Sequence, residues 1–184
     1  MEDWTLRKVE LDEAEFFFDL AFRDSHENSP NYELEKMKKR FPRYLQFNLI
    51  EDDYGPVCMG GIYEWSSELV RVADRFYVWP EFRAGKRRKG LFNHSTDEAK
   101  PAVNLMIPYQ TNLAMHLGYQ CFISVQEARK RLVTRSLARQ LSKTTKVQWH
   151  LLDGMYRTAP GSFGIQNVIS TTRSISLEKN LEKS

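Results

Sequence analysis

A basic loop that follows a strand-like segment holds the residues of this sequence that are best suited to chemistry. Residues 83–90 read RAGKRRKG, in which five cationic side chains accompany two glycines. Glycines let backbone N–H groups approach a ligand, and the cations attract negative charge. The segment therefore predicts an anion site, and its candidate ligands are Arg83, Gly85, Lys86, Arg87, Arg88, Lys89 and Gly90.

The segment before this loop has the period-two alternation of a β-strand. In residues 70–78 one face is apolar except for Asp74, so a carboxylate lies among hydrophobic side chains. Phe76 is predicted on the same face as a core aromatic, whose replacement by alanine would cost about 3 to 5 kcal/mol. Proline cannot donate to a sheet ladder, so Pro80 ends the strand and Trp79 is its last paired position.

Residues 76–83, FYVWPEFR, resemble the strand end and corner of the GNAT superfamily of acyltransferases. In that family an aliphatic-aromatic-Val-x-Pro-Glu-aromatic-Arg stretch leads into a loop that binds pyrophosphate. The resemblance implies acetyl-CoA, or another acyl-CoA, as the cofactor, held by Phe76, Tyr77, Val78 and the basic loop. The loop departs from the family's Arg/Gln-x-x-Gly-x-Gly/Ala pattern, because Lys86 stands at the first glycine when the count begins at Arg83.

The resemblance also implies an N-acyltransferase reaction, in which the acyl group passes to an amine of a small molecule or a protein. A backbone N–H near Val78 would hold the thioester carbonyl, and a carboxylate would accept the amine proton. Asp74 is the first candidate for this base and Glu64 is the second. An ion pair between Asp74 and a nearby arginine is a structural alternative of equal weight.

Charge is distributed unevenly along the chain. Residues 1–69 hold 8 Lys and Arg against 16 Asp and Glu, whereas residues 70–184 hold 19 against 8, within a net charge of +3. A basic half indicates a polyanionic partner, either a phosphate-bearing cofactor or nucleic acid. The alternative function is a non-catalytic GNAT-like module that binds nucleic acid or a protein partner through residues 83–89 and 129–139. Residues 141–145 lack the tyrosine that many family members have there, which favours this alternative.

Composition and length predict one soluble domain at residues 1–169, followed by a polar tail at 170–184 with little to bury. No segment approaches the ~20 apolar residues of a membrane span, and no leader peptide is recognisable, so we expect a cytoplasmic protein without a membrane partner. Cys58 and Cys121 are expected as buried reduced thiols. No metal is expected, because the acidic and histidine side chains of residues 94–98 offer too few ligands. The oligomeric state is left open.

Hydrophobic periodicity predicts the order of elements. The predicted strands cover residues 4–11, 45–51, 57–65, 70–78, 119–125 and 147–152, and the predicted helices cover residues 12–22, 32–41, 108–117 and 127–141. This order gives an α/β (α+β) fold with a single mixed, mostly antiparallel sheet flanked by helices. It is the order of the GNAT-like acyl-CoA N-acyltransferase fold.

Local patterns add detail to this outline. Asp12 with Glu15 three residues later predicts a helix N-cap at Asp12. The charged residues 36–40 are expected to form a solvated helix face, and residues 16–18, three consecutive phenylalanines, are expected in the core. Gly60 and Gly61 inside a strand predict a bulge or a close approach of backbones. Gly118, just after the helix at residues 108–117, is predicted as its C-cap.

Overall fold

The structure, a computed structural model, describes residues 3–25, 35, 38–79, 100–125, 131–152, 167–175 and 177. Its strands are β1 (Thr5–Val9), β2 (Tyr44–Asp52), β3 (Gly55–Glu64), β4 (Leu69–Val78), β5 (Gln120–Val125), β6 (His150–Leu151) and β7 (Asn167–Ser170). Its α-helices are α1 (Leu11–Ser25), α2 (Ile107–His116) and α3 (Arg131–Thr145), with a 3-10 turn at Phe41–Arg43 and a π-helical turn at Ala102–Met106. The predicted strands and the predicted helices at residues 12–22, 108–117 and 127–141 are confirmed, with bounds shifted by a few residues. Most of the predicted helix 32–41 lies outside the described residues, and β7 was not predicted.

These strands form one mixed sheet of seven strands in the order β1-β2-β3-β4-β5-β7-β6. Antiparallel ladders join β1 to β2 and β2 to β3, while β4 runs parallel to β5 with Val70 opposite Cys121. β7 pairs antiparallel with both β5 and β6. The predicted mixed sheet is therefore confirmed. No described helix has both the length and the apolar composition needed to cross a bilayer.

The chain divides into two compact units, and β4 contributes residues to both. The first unit contains residues 1–63 and 73–106, and the second contains residues 64–72 and 107–184. In the first unit, the fully buried side chains of Ile50, Val57, Cys58 and Met106 form a core cluster with Val78. Apolar burial of this kind is the main stabilising contribution to such a unit.

Aromatic side chains from α1 and β2 extend the core of the first unit. The Phe18 and Phe47 rings meet edge to face with centroids 5.3 Å apart, and Phe17 meets Trp79 at 5.6 Å. Phe16, by contrast, is 60% exposed. The expectation that all three phenylalanines are core residues is wrong for Phe16, because consecutive helical residues point about 100° apart and cannot share one face.

The first helix begins one residue earlier than predicted. The Ala14 N–H donates to the Glu10 carbonyl at 2.8 Å, so the first intrahelical hydrogen bond is accepted by the residue before Leu11. Asp12 therefore lies in the first turn, where its Oδ1 accepts from the Glu13 N–H at 2.9 Å. The predicted N-cap role of Asp12 is wrong, although an acid in the first turn still favours the helix dipole.

The second unit is built on β5 and the two helices around it. Trp65 packs edge to face on the buried Phe122 ring at 5.6 Å. α2 ends at Gly118, whose φ of +92° is accessible to glycine, and the Gly118 N–H donates to the Met115 carbonyl at 3.0 Å. The predicted glycine C-cap is confirmed, because the left-handed residue satisfies carbonyls at the end of the helix.

Residues after 169 take part in the second unit. Ser170 is the last residue of β7, its Oγ donates to the Cys121 carbonyl at 3.0 Å, and Leu177 is 1% exposed. The expectation that residues 170–184 have little to bury is wrong at these two positions, because β7 inserts between β5 and β6. The domain boundary at residue 169 stays a prediction. Cys58 and Cys121 are confirmed as buried free thiols.

Candidate active site

The backbone of β4 departs from regular strand geometry on both sides of Asp74. Ala73 has a φ of 49° and Arg75 a φ of 54°, so two residues with side chains adopt the left-handed region. Each such residue costs on the order of 1 to 3 kcal/mol and persists only where its surroundings enforce it. Strain of this kind clusters at functional sites, so the Asp74 segment is the first place to look for chemistry.

Close packing of β3 accompanies this distortion. A Cβ on Gly60 would lie 3.3 Å from the Ala73 Cα, and a Cβ on Gly61 would lie 2.8 Å from the Tyr44 ring. Both positions exclude larger residues, since contacts below about 3.4 Å force a neighbour to move. The predicted close approach of backbones is confirmed at Gly60, whereas Gly61 approaches the side-chain rings of Tyr44 and Phe47. Because glycine has no side chain, β3 can pack closely against Ala73 of β4 at Gly60 and against the Tyr44 ring at Gly61.

The Asp74 carboxylate is fully buried and is held by two side chains that come from outside β4. The Tyr44 hydroxyl donates a hydrogen bond to Asp74 Oδ2, and Arg40 Nη2 lies 3.4 Å from the same oxygen. An ionised carboxylate in the interior requires such partners, because its desolvation costs several kcal/mol. The ion-pair alternative for Asp74 is therefore confirmed, with Arg40 as its partner.

Aromatic rings surround the guanidinium of Arg40. Its Cζ lies 4.1 Å from the Tyr63 ring centroid and 5.9 Å from that of Tyr44, distances at which a cation is attracted to a ring face. The two tyrosines are cross-strand partners on β2 and β3, with centroids 5.1 Å apart. We call the Asp74 carboxylate and the Tyr44 and Tyr63 rings the cation cage.

The pKa values of Tyr44 and Arg40 are both shifted by their surroundings. Burial and the neighbouring Asp74 charge raise the pKa of the Tyr44 hydroxyl well above its usual value, so Tyr44 stays a proton donor. Burial lowers the pKa of Arg40, but the charge of Asp74 and the two tyrosines outweigh it and raise the pKa overall. Arg40 therefore stays cationic at neutral pH, and the pair holds one negative and one positive charge.

Arg40 and Tyr44 were not among the predicted site residues. The expectation of a solvated face for residues 36–40 is wrong for Arg40, whose side chain is only 20% exposed. The same expectation describes Lys38 better, because its Nζ pairs with Glu15 at 2.9 Å near the surface. The sequence contained one signal that a partner such as Arg40 had to exist. Asp74 is a carboxylate on an apolar strand face, and such a group requires a cation from elsewhere in the chain.

The other predicted site residues that the structure describes differ in exposure. Phe76 is 38% exposed, which contradicts its prediction as a core aromatic, whereas Val78 is buried and Tyr77 half-buried. The alternation fails after Asp74 because Arg75 turns the backbone into the left-handed region. Glu64, the last residue of β3, is half-buried and makes no ion pair with any described residue. The residues of the predicted anion loop, 83–90, lie outside the described ranges, as does the segment 94–98.

No metal ligands gather in the described part of the chain, where no group of three or more His, Cys, Asp and Glu side chains is arranged to hold an ion. The basic residues of α3 whose side chains are described, Arg135, Arg139 and Lys143, are exposed. An exposed basic helix face is ordinary for a soluble domain. The described residues thus give the alternative of a basic binding module no support beyond their charge.

Comparison with solved structures places this sheet in a known architecture. No protein-family model and no curated protein sequence match the chain. Solved structures do match over nearly the whole chain. The spermidine/spermine N-acetyltransferase SpeG from Vibrio cholerae, in mutant forms, is 14% identical, covers 99% of both chains and has a TM-score of 0.53. The chain has the GNAT fold.

Further GNAT structures agree over similar lengths. The Salmonella typhimurium protein yncA, solved with its cofactor acetyl-CoA, is 10% identical, covers 96% of this chain and 98% of its own, and has a TM-score of 0.54. The ribosomal-protein-S18-alanine N-acetyltransferase from Escherichia coli is 11% identical, with 96% and 97% covered and a TM-score of 0.52. At such identities the likeness establishes the GNAT fold, and function has to be argued from the site.

Proposed function

We propose that the chain is an N-acyltransferase that moves an acyl group from acyl-CoA, most simply acetyl-CoA, to an amine. The observation that carries this proposal is the buried Asp74 carboxylate between two left-handed residues of β4, within a GNAT fold. The left-handed residues and the buried carboxylate each lower the stability of the fold, and a β-sheet can form without either of them. A function that uses the carboxylate and the distorted strand explains why the fold keeps these two destabilising features.

The proposed reaction needs a proton acceptor and a fixed carbonyl. The protonated amine first gives one proton to Asp74, its nitrogen then bonds to the acyl carbon of the thioester, and the carbon–sulfur bond breaks. The second proton of the nitrogen passes to solvent, from which the released thiolate takes a proton. Asp74 is the proposed base, and Glu64 is the second choice because its half-buried carboxylate is accessible. The backbone N–H near Val78 is proposed to stabilise the oxyanion.

Acyl-CoA supplies the activated acyl group, and the proposed contacts for it lie at the end of β4. The exposed Phe76 and half-buried Tyr77 leave ring surface there for a ligand, and the basic residues 83–90, which follow in the sequence, are the proposed ligands of the pyrophosphate. The yncA structure, which holds acetyl-CoA, supports this choice of cofactor. We propose a cytoplasmic setting, where acyl-CoA is available.

The acceptor is proposed to be an amine that carries positive charge. Residues 1–69 have 16 acidic against 8 basic side chains, which favours a cationic partner. The SpeG structure, named for spermidine and spermine, supports a small amine, and the alanine N-acetyltransferase supports a protein amine. Either acceptor is protonated at neutral pH and has to lose a proton before it attacks.

Isothermal titration with acetyl-CoA, matched by a titration with buffer, tests the proposal. Binding in the micromolar range is expected, and the double variant Arg87→Glu with Arg88→Glu should lose it while its Tm stays nearly unchanged. Absence of heat at millimolar acetyl-CoA would refute the acyltransferase. A polyanion that binds in its place, with an affinity falling steeply as salt rises, would favour the basic module instead.

A further inference from the structure

The cation cage holds one cationic group, the guanidinium of Arg40. Its floor is a fully buried carboxylate, and its walls are the faces of Tyr44 and Tyr63. A carboxylate combined with aromatic faces is the arrangement by which proteins bind ammonium and guanidinium ligands. The same arrangement would serve any cation that reaches Asp74.

The contact between Arg40 and Asp74 is longer than the charge-assisted hydrogen bonds of a well-formed ion pair. The distance from Arg40 Nη2 to Asp74 Oδ2 is 3.4 Å, whereas charge-assisted N–H···O bonds are about 2.7 to 2.9 Å long. The shorter bond to Oδ2 is donated by Tyr44, which stays neutral. Arg40 thus supplies charge without optimal geometry, so a ligand cation able to approach Asp74 more closely could replace it.

Arg40 reaches solvent, whereas Asp74 does not. The Arg40 side chain is 20% exposed and that of Asp74 is 0% exposed, and the guanidinium lies against the carboxylate. A carboxylate paired with a guanidinium is a poor proton acceptor, because the neighbouring charge favours its ionised form. If Asp74 is to take a proton from an amine, Arg40 has to move away first.

We propose that the cation cage is the acceptor site of this protein, that it binds a protonated aliphatic amine beside Asp74, and that Arg40 occupies it until the amine displaces it. This inference deepens the proposed function and rests on it for the identity of the ligand as an acyl acceptor. The amine replaces the guanidinium on the Tyr63 ring and on the carboxylate. Its proton then passes to Asp74, which no longer has Arg40 as its counter-ion.

The test uses a variant that empties the cage. Arg40→Ala removes a group whose shape is that of ethylguanidinium, so the variant is melted with ethylguanidinium chloride, ethylammonium chloride or sodium chloride at equal ionic strength. We expect the variant to melt below the wild type and to regain about 2 to 4 °C with either organic cation at several times its Kd. Sodium chloride should give no comparable gain.

Matched variants separate a cage from a general salt effect. Arg43→Ala is the control, because Arg43 also lies over the Tyr63 ring, at 5.1 Å, while the ion pair to Asp74 is made by Arg40. Arg43→Ala should not respond to the organic cations, and Arg40→Ala combined with Asp74→Asn should lose the response. By titration, Arg40→Ala should bind ethylammonium at least about tenfold more tightly than the wild type, since no internal group competes.

Each outcome decides the proposal. No response of Arg40→Ala, an equal response in Arg43→Ala, or a response to ethylguanidinium without ethylammonium overturns it. If Arg40→Ala does not fold, refolding in ethylguanidinium supports the cage, and failure to refold there overturns it. These measurements contain no acyl-CoA, so their failure leaves the acyltransferase standing. If the organic cations bind the cage but acetyl-CoA does not bind the protein, the cation site is supported and the acyltransferase is refuted.

Discussion

Arg40 lies against the buried carboxylate of Asp74, with Nη2 and Oδ2 separated by 3.4 Å, although the two residues are 34 positions apart in the chain. One residue precedes β2 and the other lies within β4. The contact forms because β2 and β3 pair with Tyr44 opposite Tyr63, and the Tyr63 ring supports the guanidinium. The central charge of the candidate site is therefore balanced by a residue outside the strand that bears it.

Replacement of Asp74 tests its role as the base. Asp74→Asn should lower turnover by about 100-fold or more while the Kd for acetyl-CoA changes by a small factor, because the carboxylate acts on the amine. The free energy of unfolding should also fall by about 3 kcal/mol, since Arg40 loses its counter-ion in a mostly buried site. Steady-state kinetics and urea unfolding measure the two effects.

Glu64→Gln is the control for this substitution. Its carboxylate is half-buried and unpaired within the described residues, so stability should change by less than about 0.5 kcal/mol. If Glu64→Gln abolishes turnover while Asp74→Asn retains it, Glu64 is the base and the Asp74 assignment is wrong.

Two phenylalanines, one on β2 and one on β4, should respond differently to truncation. Phe47→Ala removes a ring that is 1% exposed and contacts Phe18 and Tyr44, so it should cost about 3 to 5 kcal/mol. Phe76→Ala removes a ring that is 38% exposed and should cost about 1 kcal/mol or less. Urea denaturation of both variants checks the difference, and equal losses would show that the Phe76 ring is buried in solution.

A methyl group at Gly61 should disturb the cation cage directly. The added Cβ would lie 2.8 Å from the Tyr44 ring and 2.9 Å from that of Phe47, both buried and unable to move freely. Gly61→Ala should therefore cost about 1 to 3 kcal/mol by overpacking. A measured loss below about 0.5 kcal/mol would show that the rings move aside.

Gly60→Ala is the matched variant one residue away. Its Cβ would meet Met106 Sδ at 3.0 Å and the Ala73 Cα at 3.3 Å. The flexible methionine side chain can adjust, so the loss of stability should be smaller than for Gly61→Ala. The reverse order would indicate that the approach of β3 to Ala73 is the tighter constraint.

The two cysteines should stay unreactive in the folded protein. Burial raises the pKa of the Cys121 thiol from 9.0 to about 12 and raises that of Cys58 further, so neither forms thiolate at pH 8. A thiol-specific disulfide reagent should label neither residue at pH 8 and both after unfolding in urea. Rapid labelling of the native protein would show that one of the two sites opens to solvent.

The same pKa shift predicts how stability changes with pH. Because the folded pKa of Cys121 exceeds the unfolded value of 9.0, its contribution is complete below pH 9 and is lost as the pH rises toward about 12. Cys121→Ala or Cys121→Val should reduce this alkaline loss of stability. Urea unfolding of wild type and variants between about pH 8 and pH 10.5 measures the effect.

Most of the elements were predictable from local pattern. The alternation in residues 45–51, 57–65 and 70–78 predicted β2, β3 and β4, and Gly118 predicted the end of α2, because strand periodicity and a left-handed cap depend on neighbouring residues. The FYVWPEFR stretch further indicated the GNAT fold that the solved structures share.

The candidate site depended on both the sequence and the tertiary structure. The sequence alone determined that an acid, Asp74, falls on an apolar strand face, since that follows from spacing. Only the tertiary structure decided that Arg40 lies against it, that Tyr44 donates to it, and that Phe76 turns outward. These facts depend on strand register, on the left-handed residues Ala73 and Arg75, and on the pairing of segments far apart in the chain, none of which local periodicity encodes.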